Sequence, residues 1–265
     1  MVATTFHDRH DAGRVLAELL EQYHDREDVV VLALPRGGVP VGYEVAQRLG
    51  APLDVFVVRK LGVPRFPELA MGAIASGGVL VTNDGVLRAE QVRPWEFQRV
   101  SEQETRELRR REAAYREGRP LVDVAGKTVI AVDDGLATGA TMRAALEAVR
   151  KLCPARIVVA VPAAPESTCR ELSRLADRVV CATTPTPFSA VGASYWQFEQ
   201  TSDAEVRELL RRASARAEAA GQDEAPIARR AGAPATGGSP RDDVLFEWVG
   251  DVRIAVGDAS PGATP

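Results

Sequence analysis

Apolar residues in this chain fall into short unbroken runs separated by stretches with helical spacing. The runs "VVVLAL" (29–34), "LDVFVV" (53–58), the segment 128–132, "RIVVAVP" (156–162) and "RVVCAT" (178–183) each have the length of a buried strand. Between them the apolar positions recur with a helical period. Residues 11–24 place Val15, Leu16, Leu19 and Leu20 on one face, and 39–49 form a second helix stopped by Gly50. Further helices are expected over about 140–152, 166–176 and 203–218. Strands alternating with helices of this length predict right-handed crossovers and an α/β fold with a central parallel sheet flanked by helices.

Three stretches depart from that alternation. Residues 61–78, "LGVPRFPELAMGAIASGG", carry enough Gly and Pro to predict loop over most of their length, with a short strand or hairpin arm after them at "GVLVTN". Residues 89–118 predict one long helix in which Glu and Arg interleave, the pattern of a solvated face laced with ion pairs. From about 219 to 242 the composition shifts to Ala, Gly, Pro and Arg, as in a flexible linker. The tail, 243–265, contains two apolar runs around Gly250 and Asp251 that predict a short hairpin. The main domain is therefore expected over 1–218.

Composition narrows the function classes. With 265 residues, 45% of them hydrophobic and 26% charged, the chain can bury a sizeable core. A net charge of −4 gives no global attraction to nucleic acid. Cys153, Cys169 and Cys181 lack metal-ligand spacing and are expected to be reduced packing residues. No apolar run is long enough to span a bilayer, and the N-terminus is charged where a signal peptide needs its apolar region. The expectation is a cytoplasmic protein without nucleic-acid or membrane partners.

The candidate chemistry lies in "VIAVDDGLATGAT" (129–141). A buried strand ends on two adjacent carboxylates, Asp133 and Asp134. Small residues and hydroxyls then lead into a helix. Ligands of open α/β sheets sit beyond the carboxyl ends of the strands, and a helix N-terminus offers unpaired N–H groups to an anion. Thr138 and Thr141 add hydroxyl donors. The loop is not a P-loop, because Gly139 is followed by Ala140 and Thr141 rather than by Lys, and the G-x-G-x-x-G fingerprint is absent. Carboxylates repel phosphate but suit sugar hydroxyls or a hydrated Mg²⁺. A ribose 5-phosphate satisfies both halves.

The segment resembles the phosphoribosyl pyrophosphate (PRPP) signature of the type I phosphoribosyltransferases. The resemblance implies that Asp133 and Asp134 bind the ribose hydroxyls, and Mg²⁺ through water. It implies that Ala137, Thr138, Gly139, Ala140 and Thr141 bind the 5-phosphate. "LPRGGVP" (34–40) occupies the family's pyrophosphate-loop position, which often has a strained peptide exposing an N–H. There Gly37 and Gly38 allow close backbone approach and Arg36 supplies charge. Arg59 and Lys60, expected at the end of the second strand, are further pyrophosphate candidates. The 61–118 insertion stands where the family has its mobile lid, and a variable hood is expected over about 184–200. Phe188, Tyr195 and Trp196 are weak candidates for stacking on the acceptor, with core packing as the competing role.

"FHDRHDAG", "RKLGVPRFPELAMGAIASGG" and "PFSAVGASYWQFEQTSD" extend the likeness over about residues 6–210, toward bacterial phosphoribosyltransferase-domain proteins. The implied reaction displaces pyrophosphate from PRPP by a nitrogen nucleophile on a small acceptor, with Arg36, Lys60, Asp133 and Asp134 as its catalytic set and Mg²⁺ as cofactor. Ala137 replaces the aspartate usual in 6-oxopurine transferases, so the loop is closer to the adenine and uracil types. No covalent nucleophile is needed; His7, His10 and His24 crowd into the first helix region and suit capping or the surface. A homodimer is common in the family. The alternative is a non-catalytic module that senses PRPP or a nucleotide.

Overall fold

The computed structural model describes residues 5–223, 246–249 and 252–256. After α1 (Arg9–Glu18), the chain enters β1 (Val29–Ala33), α2 (Gly38–Leu49) and β2 (Leu53–Val55). An insertion follows: β3 (Val58–Val63), β4 (Phe66–Ala75), β5 (Val79–Thr82), α3 (Asp84–Ala89) and α4 (Pro94–Arg116). The alternation then resumes with β6 (Thr128–Val132), α5 (Ala140–Arg150), β7 (Arg156–Ala163), α6 (Glu166–Leu172), β8 (Arg178–Thr183) and α7 (Asp203–Asp223). A hairpin of β9 (Phe246–Val249) and β10 (Val252–Val256) completes the described chain.

The main sheet has the order β2-β1-β6-β7-β8-β10-β9. Its first five strands are parallel, and β10 joins β8 antiparallel. Both faces of the parallel part are covered, which is why its strands are unbroken apolar runs rather than alternating ones. Val30, Leu32, Val129, Ala131, Val159 and Val161 pack beneath Met142, Leu146 and Val149 of α5 and Leu172 of α6. Their neighbours Val29, Val31, Ile130, Val132 and Val158 face Leu16 of α1 and Val41, Val45 and Leu49 of α2. Gly50, with φ +67°, ends α2 as expected.

The region after β2 corrects the sequence reading. The run 53–58 is not one strand. The parallel strand stops at Val55, and β3 begins a separate antiparallel sheet, β3-β4-β5. The break is hidden in the sequence because Phe56 and Val57 are both fully buried, one in the core under α5 and the other in a cluster with Leu61, Leu108 and Leu209. Arg59 and Lys60 accordingly lie inside β3, not at the end of β2.

Most of 61–78 is strand rather than loop. Its Gly and Pro residues serve a tight irregular pairing: a Cβ on Gly62 would lie 2.3 Å from Pro67 O, beside the register shift between β3 and β4. The insertion is bolted to the sheet by a buried ion pair. Arg116 Nε donates to Asp54 Oδ1 at 2.9 Å, Nη1 to Glu112 at 2.6 Å and Nη2 to Val55 O at 2.7 Å. Asp54 Oδ2 also accepts the Val122 N–H at 3.0 Å.

At the C-terminal end, α7 runs to Asp223 and takes in the first residues assigned to the linker. The rest of that linker, 224–242, lies outside the described residues. In the tail, β9 and β10 pair antiparallel, with Val252 opposite Val249; Gly250 and Asp251, where the sequence predicts a hairpin turn, lie outside the described residues. Among the described residues no helix is long and apolar enough to cross a membrane.

Candidate functional site

β1 and β6 are parallel neighbours in register, with Ala33 opposite Val132, so the segments leaving them emerge side by side at the carboxyl edge of the sheet. Leu34 N–H donates to Val132 O at 2.8 Å and carries the pairing one step further. The Pro35–Arg36 peptide is cis. Gly37 and Gly38 then turn into α2 directly against the acid pair. A Cβ on Gly37 would stand 2.0 Å from Asp134 Oδ2, and one on Gly38 2.8 Å from Val132 O and 2.9 Å from the Asp133 Cα. The glycine loop and the carboxylates are therefore two walls of one site.

On the other side, residues 135–139 cross to α5. Leu136 N–H donates to Ala163 O at 2.9 Å, and Thr168 Oγ1 donates to Ala137 O at 2.8 Å, so the loop is tied to β7 and α6. Gly139, at φ +68°, caps α5, a conformation that disfavours side chains. Ala137, Thr138 and Thr141 are exposed. Thr138 Oγ1 accepts the Ala140 N–H at a long 3.4 Å. The first-turn amides of α5 have no acceptors inside the helix and suit an anion.

The two acids are held differently. Asp133 Oδ1 accepts the N–H of Asp134 at 2.9 Å. Asp134 Oδ2 accepts from Nε of Arg9 at 2.8 Å and ion-pairs with Nη2, also at 2.8 Å, while the Asp134 carbonyl accepts the Tyr195 hydroxyl at 2.5 Å. Burial and the neighbouring charge of Asp134 push the Asp133 carboxyl well above the usual range. Burial also raises Asp134, but Arg9 opposes that, which makes Asp134 the more readily ionised partner. Burial raises the Tyr195 hydroxyl too, so it remains a donor.

Residues 3–197 match the family model described as a phosphoribosyl transferase domain. The chain belongs to the phosphoribosyl transferase family. Two Mycobacterium tuberculosis relatives, each named "Putative phosphoribosyl transferase", are 49% identical to it over 208 residues, covering 78% of this chain and 47% of theirs. The chain thus spans about half the length of the curated relatives it matches. The crystal structure of TT1426 from Thermus thermophilus is similar at 44% identity and a TM-score of 0.70, over 78% of this chain and 97% of that one.

In this phosphoribosyl transferase domain the remaining sequence candidates are dispersed. Arg36, about one-third exposed, stands 3.7 Å from Asp203 Oδ1, an oxygen that also accepts the Tyr115 hydroxyl. Arg59 donates to Glu104 of α4 at 2.6 Å. Lys60 is exposed and shares the face of β3 with Val58, which packs on the α5 side, so strand alternation turns the two cations apart. Phe188 is half-buried. Trp196 is 78% exposed. Tyr195 is buried between Phe6, with ring centroids 5.7 Å apart, and Phe198, stacked at 4.9 Å, so neither face lies open.

Within 184–200, the segment around Tyr195 pairs with a distant one. Phe6 N–H donates to Ser194 O, and Trp196 and Gln197 N–H groups donate to Phe6 O and His7 O, each at 2.9 Å. The residue that sequence reasoning missed is Arg9. It sits in the quoted "FHDRHDAG", but no spacing rule connects it with acids that lie 125 positions away.

Proposed function

We propose that this chain transfers the 5-phosphoribosyl group of PRPP to a nitrogenous base or similar small acceptor and releases pyrophosphate. The observation that carries the reading is the contact of the Gly37–Gly38 loop with the Asp133–Asp134 pair, because one ligand must then engage both. PRPP has the matching parts: a diol for the acids, a 5-phosphate for the 137–141 amides and hydroxyls, and a pyrophosphate for the loop beside Arg36. The transition state of such a displacement resembles an oxocarbenium ion. The protein's contribution is to orient the reactants, neutralise the leaving group and exclude water.

The donor set suits Mg²⁺. Asp133 Oδ2 and Asp134 Oδ1 make no hydrogen bond to another described residue and can hold a hydrated cation through water. Among the described residues no group of three or more His, Cys, Asp or Glu side chains could hold a metal ion. The chemistry a bound Mg²⁺ supplies is neutralisation of charge on the leaving pyrophosphate. Arg36, which belongs to the Gly37–Gly38 loop, is the cation we assign to that leaving group, with Lys60 of β3 as a further candidate.

A second reading, a non-catalytic module that senses PRPP or a nucleotide, draws on the ion pairs. Arg59 is engaged by Glu104 and Arg36 is drawn toward Asp203, which leaves the anion loop with less free positive charge. Incubation with PRPP, Mg²⁺ and a panel of bases, following pyrophosphate release, separates the two. Release with one base supports the transferase; tight PRPP binding with no release supports the sensor. Absence of PRPP binding refutes the transferase and PRPP sensing alike.

A further inference from the structure

No sequence pattern assigns Arg9 a role, yet its side chain is only 11% exposed and meets Asp134 directly. Nε and Nη2 converge on one oxygen, Asp134 Oδ2, each at 2.8 Å. Nη1 donates to Glu199 O at 2.6 Å, and the guanidinium carbon lies 3.9 Å from the centre of the Phe198 ring. Phe198 stacks on Tyr195, whose hydroxyl holds the Asp134 carbonyl. The guanidinium is thus fixed in its plane by hydrogen bonds and over its face by a ring, an arrangement that a lysine ammonium does not reproduce.

We propose that Arg9 is the positioning residue of the acid pair: it grips Asp134 through Oδ2 and leaves Asp133 Oδ2 and Asp134 Oδ1 as the two acceptors presented to a vicinal diol. The identity of that diol as ribose rests on the phosphoribosyl reading above. Adjacent carboxylates in a partly buried site repel one another, and Arg9 supplies the counter-charge without touching the anion-binding loops. Its effect is therefore confined to ligands that carry the sugar. Pyrophosphate alone, which needs only the loop around Gly37, is indifferent to Arg9.

The test compares wild type, Arg9→Gln, Arg9→Lys, Asp134→Asn and the Arg9→Gln/Asp134→Asn double variant by calorimetry, with Mg²⁺ present for PRPP and absent for pyrophosphate. Two probes are used, PRPP and inorganic pyrophosphate. Arg9→Gln is expected to weaken PRPP by about 10- to 100-fold while pyrophosphate stays within about twofold. Arg9→Lys should recover only part of the PRPP loss. The double variant should bind PRPP within about twofold of Asp134→Asn, since a residue acting through Asp134 has nothing left to hold. Equal weakening of both probes, or losses that add in the double variant, overturns the proposal.

A ligand-free measurement keeps the two readings apart. In nitrogen-15 NMR the Arg9 Nε–H should give a slowly exchanging resonance that collapses in Asp134→Asn. Persistence of that signal in Asp134→Asn refutes the grip whatever the ligand. If wild type shows the expected NMR behaviour but binds no PRPP, the phosphoribosyl reading fails, and with it the assignment of the diol. Should Arg9→Gln not fold, Arg9→Lys carries the same PRPP-against-pyrophosphate comparison.

Discussion

Gly37→Ala adds one methyl group at the wall between the Gly37–Gly38 loop and the acids. Gly37 has φ −59° and ψ −33°, which alanine adopts without strain, so the backbone itself gives no reason for an effect. The methyl does: it would lie 2.0 Å from Asp134 Oδ2 and 2.5 Å from the Asp134 Cγ, short of ordinary contact by more than ~1 Å. Asp134 has nowhere to retreat. Arg9 grips the same oxygen, Asp133 holds its N–H and Tyr195 its carbonyl. The loop must yield instead, by about 1 Å, and a displacement of that size in a positioned site costs on the order of 100-fold, or about 2.7 kcal/mol. Overpacking should also lower global stability by about 1–3 kcal/mol.

Calorimetric titration of PRPP with Mg²⁺ gives the first quantity and thermal unfolding without ligand gives the second. Gly85→Ala is the control. It sits in α3, and its added Cβ would meet nothing closer than Asn83 Oδ1 at 3.4 Å. It should leave binding unchanged and shift stability by no more than about 1 kcal/mol. A Gly37→Ala protein that binds PRPP within about threefold of wild type would show that the loop and the acids do not form one site.

Other outcomes follow from the same geometry. PRPP with Mg²⁺ should raise the melting temperature of wild type and of Cys153→Ala, while Asp133→Asn/Asp134→Asn should lose that protection; equal protection in all three counts against the sugar site. Arg116→Met leaves Asp54 buried without its counter-ion and should destabilise by about 3–5 kcal/mol in denaturant unfolding. Asp54→Asn/Arg116→Met should recover much of that loss. His10 is raised above its ordinary value, chiefly by its 2.8 Å hydrogen bond to Glu44. The folded state therefore holds this proton more tightly than the unfolded chain. Its contribution is present in full below about pH 6.5 and is lost as pH rises through the higher folded value. His10→Gln should flatten that part of the stability profile, and an unchanged slope would refute the assignment.

What could be read from the sequence was local. The five buried strands, the helix stop at Gly50, and the acid pair with its following loop are all written in neighbouring residues. The proximity of Gly37 and Gly38 to Asp134 followed from the parallel topology once the strands were placed. The break between Val55 and Val58 was invisible because Phe56 and Val57 are apolar on both sides of it. The strand 66–75 was masked by Gly and Pro, which ordinarily punctuate loops but here fit a close, irregular strand pairing. Arg9, Glu104, Asp203 and the stack on Tyr195 were beyond reach for a different reason: each acts on a residue far away in the chain, and no periodicity encodes such pairs.

The pairing of Phe6 and His7 with Ser194, Trp196 and Gln197 sets a rule for building chimaeras. The 190s transplanted from a relative would have to carry the chain's first segment with them, Arg9 included. Otherwise the grafted 190s would meet a first segment not matched to them, and Asp134 would lose its Tyr195 contact while Arg9 lost its supports at Phe198 and Glu199. The 190s and the chain's first segment are, in this architecture, inherited together.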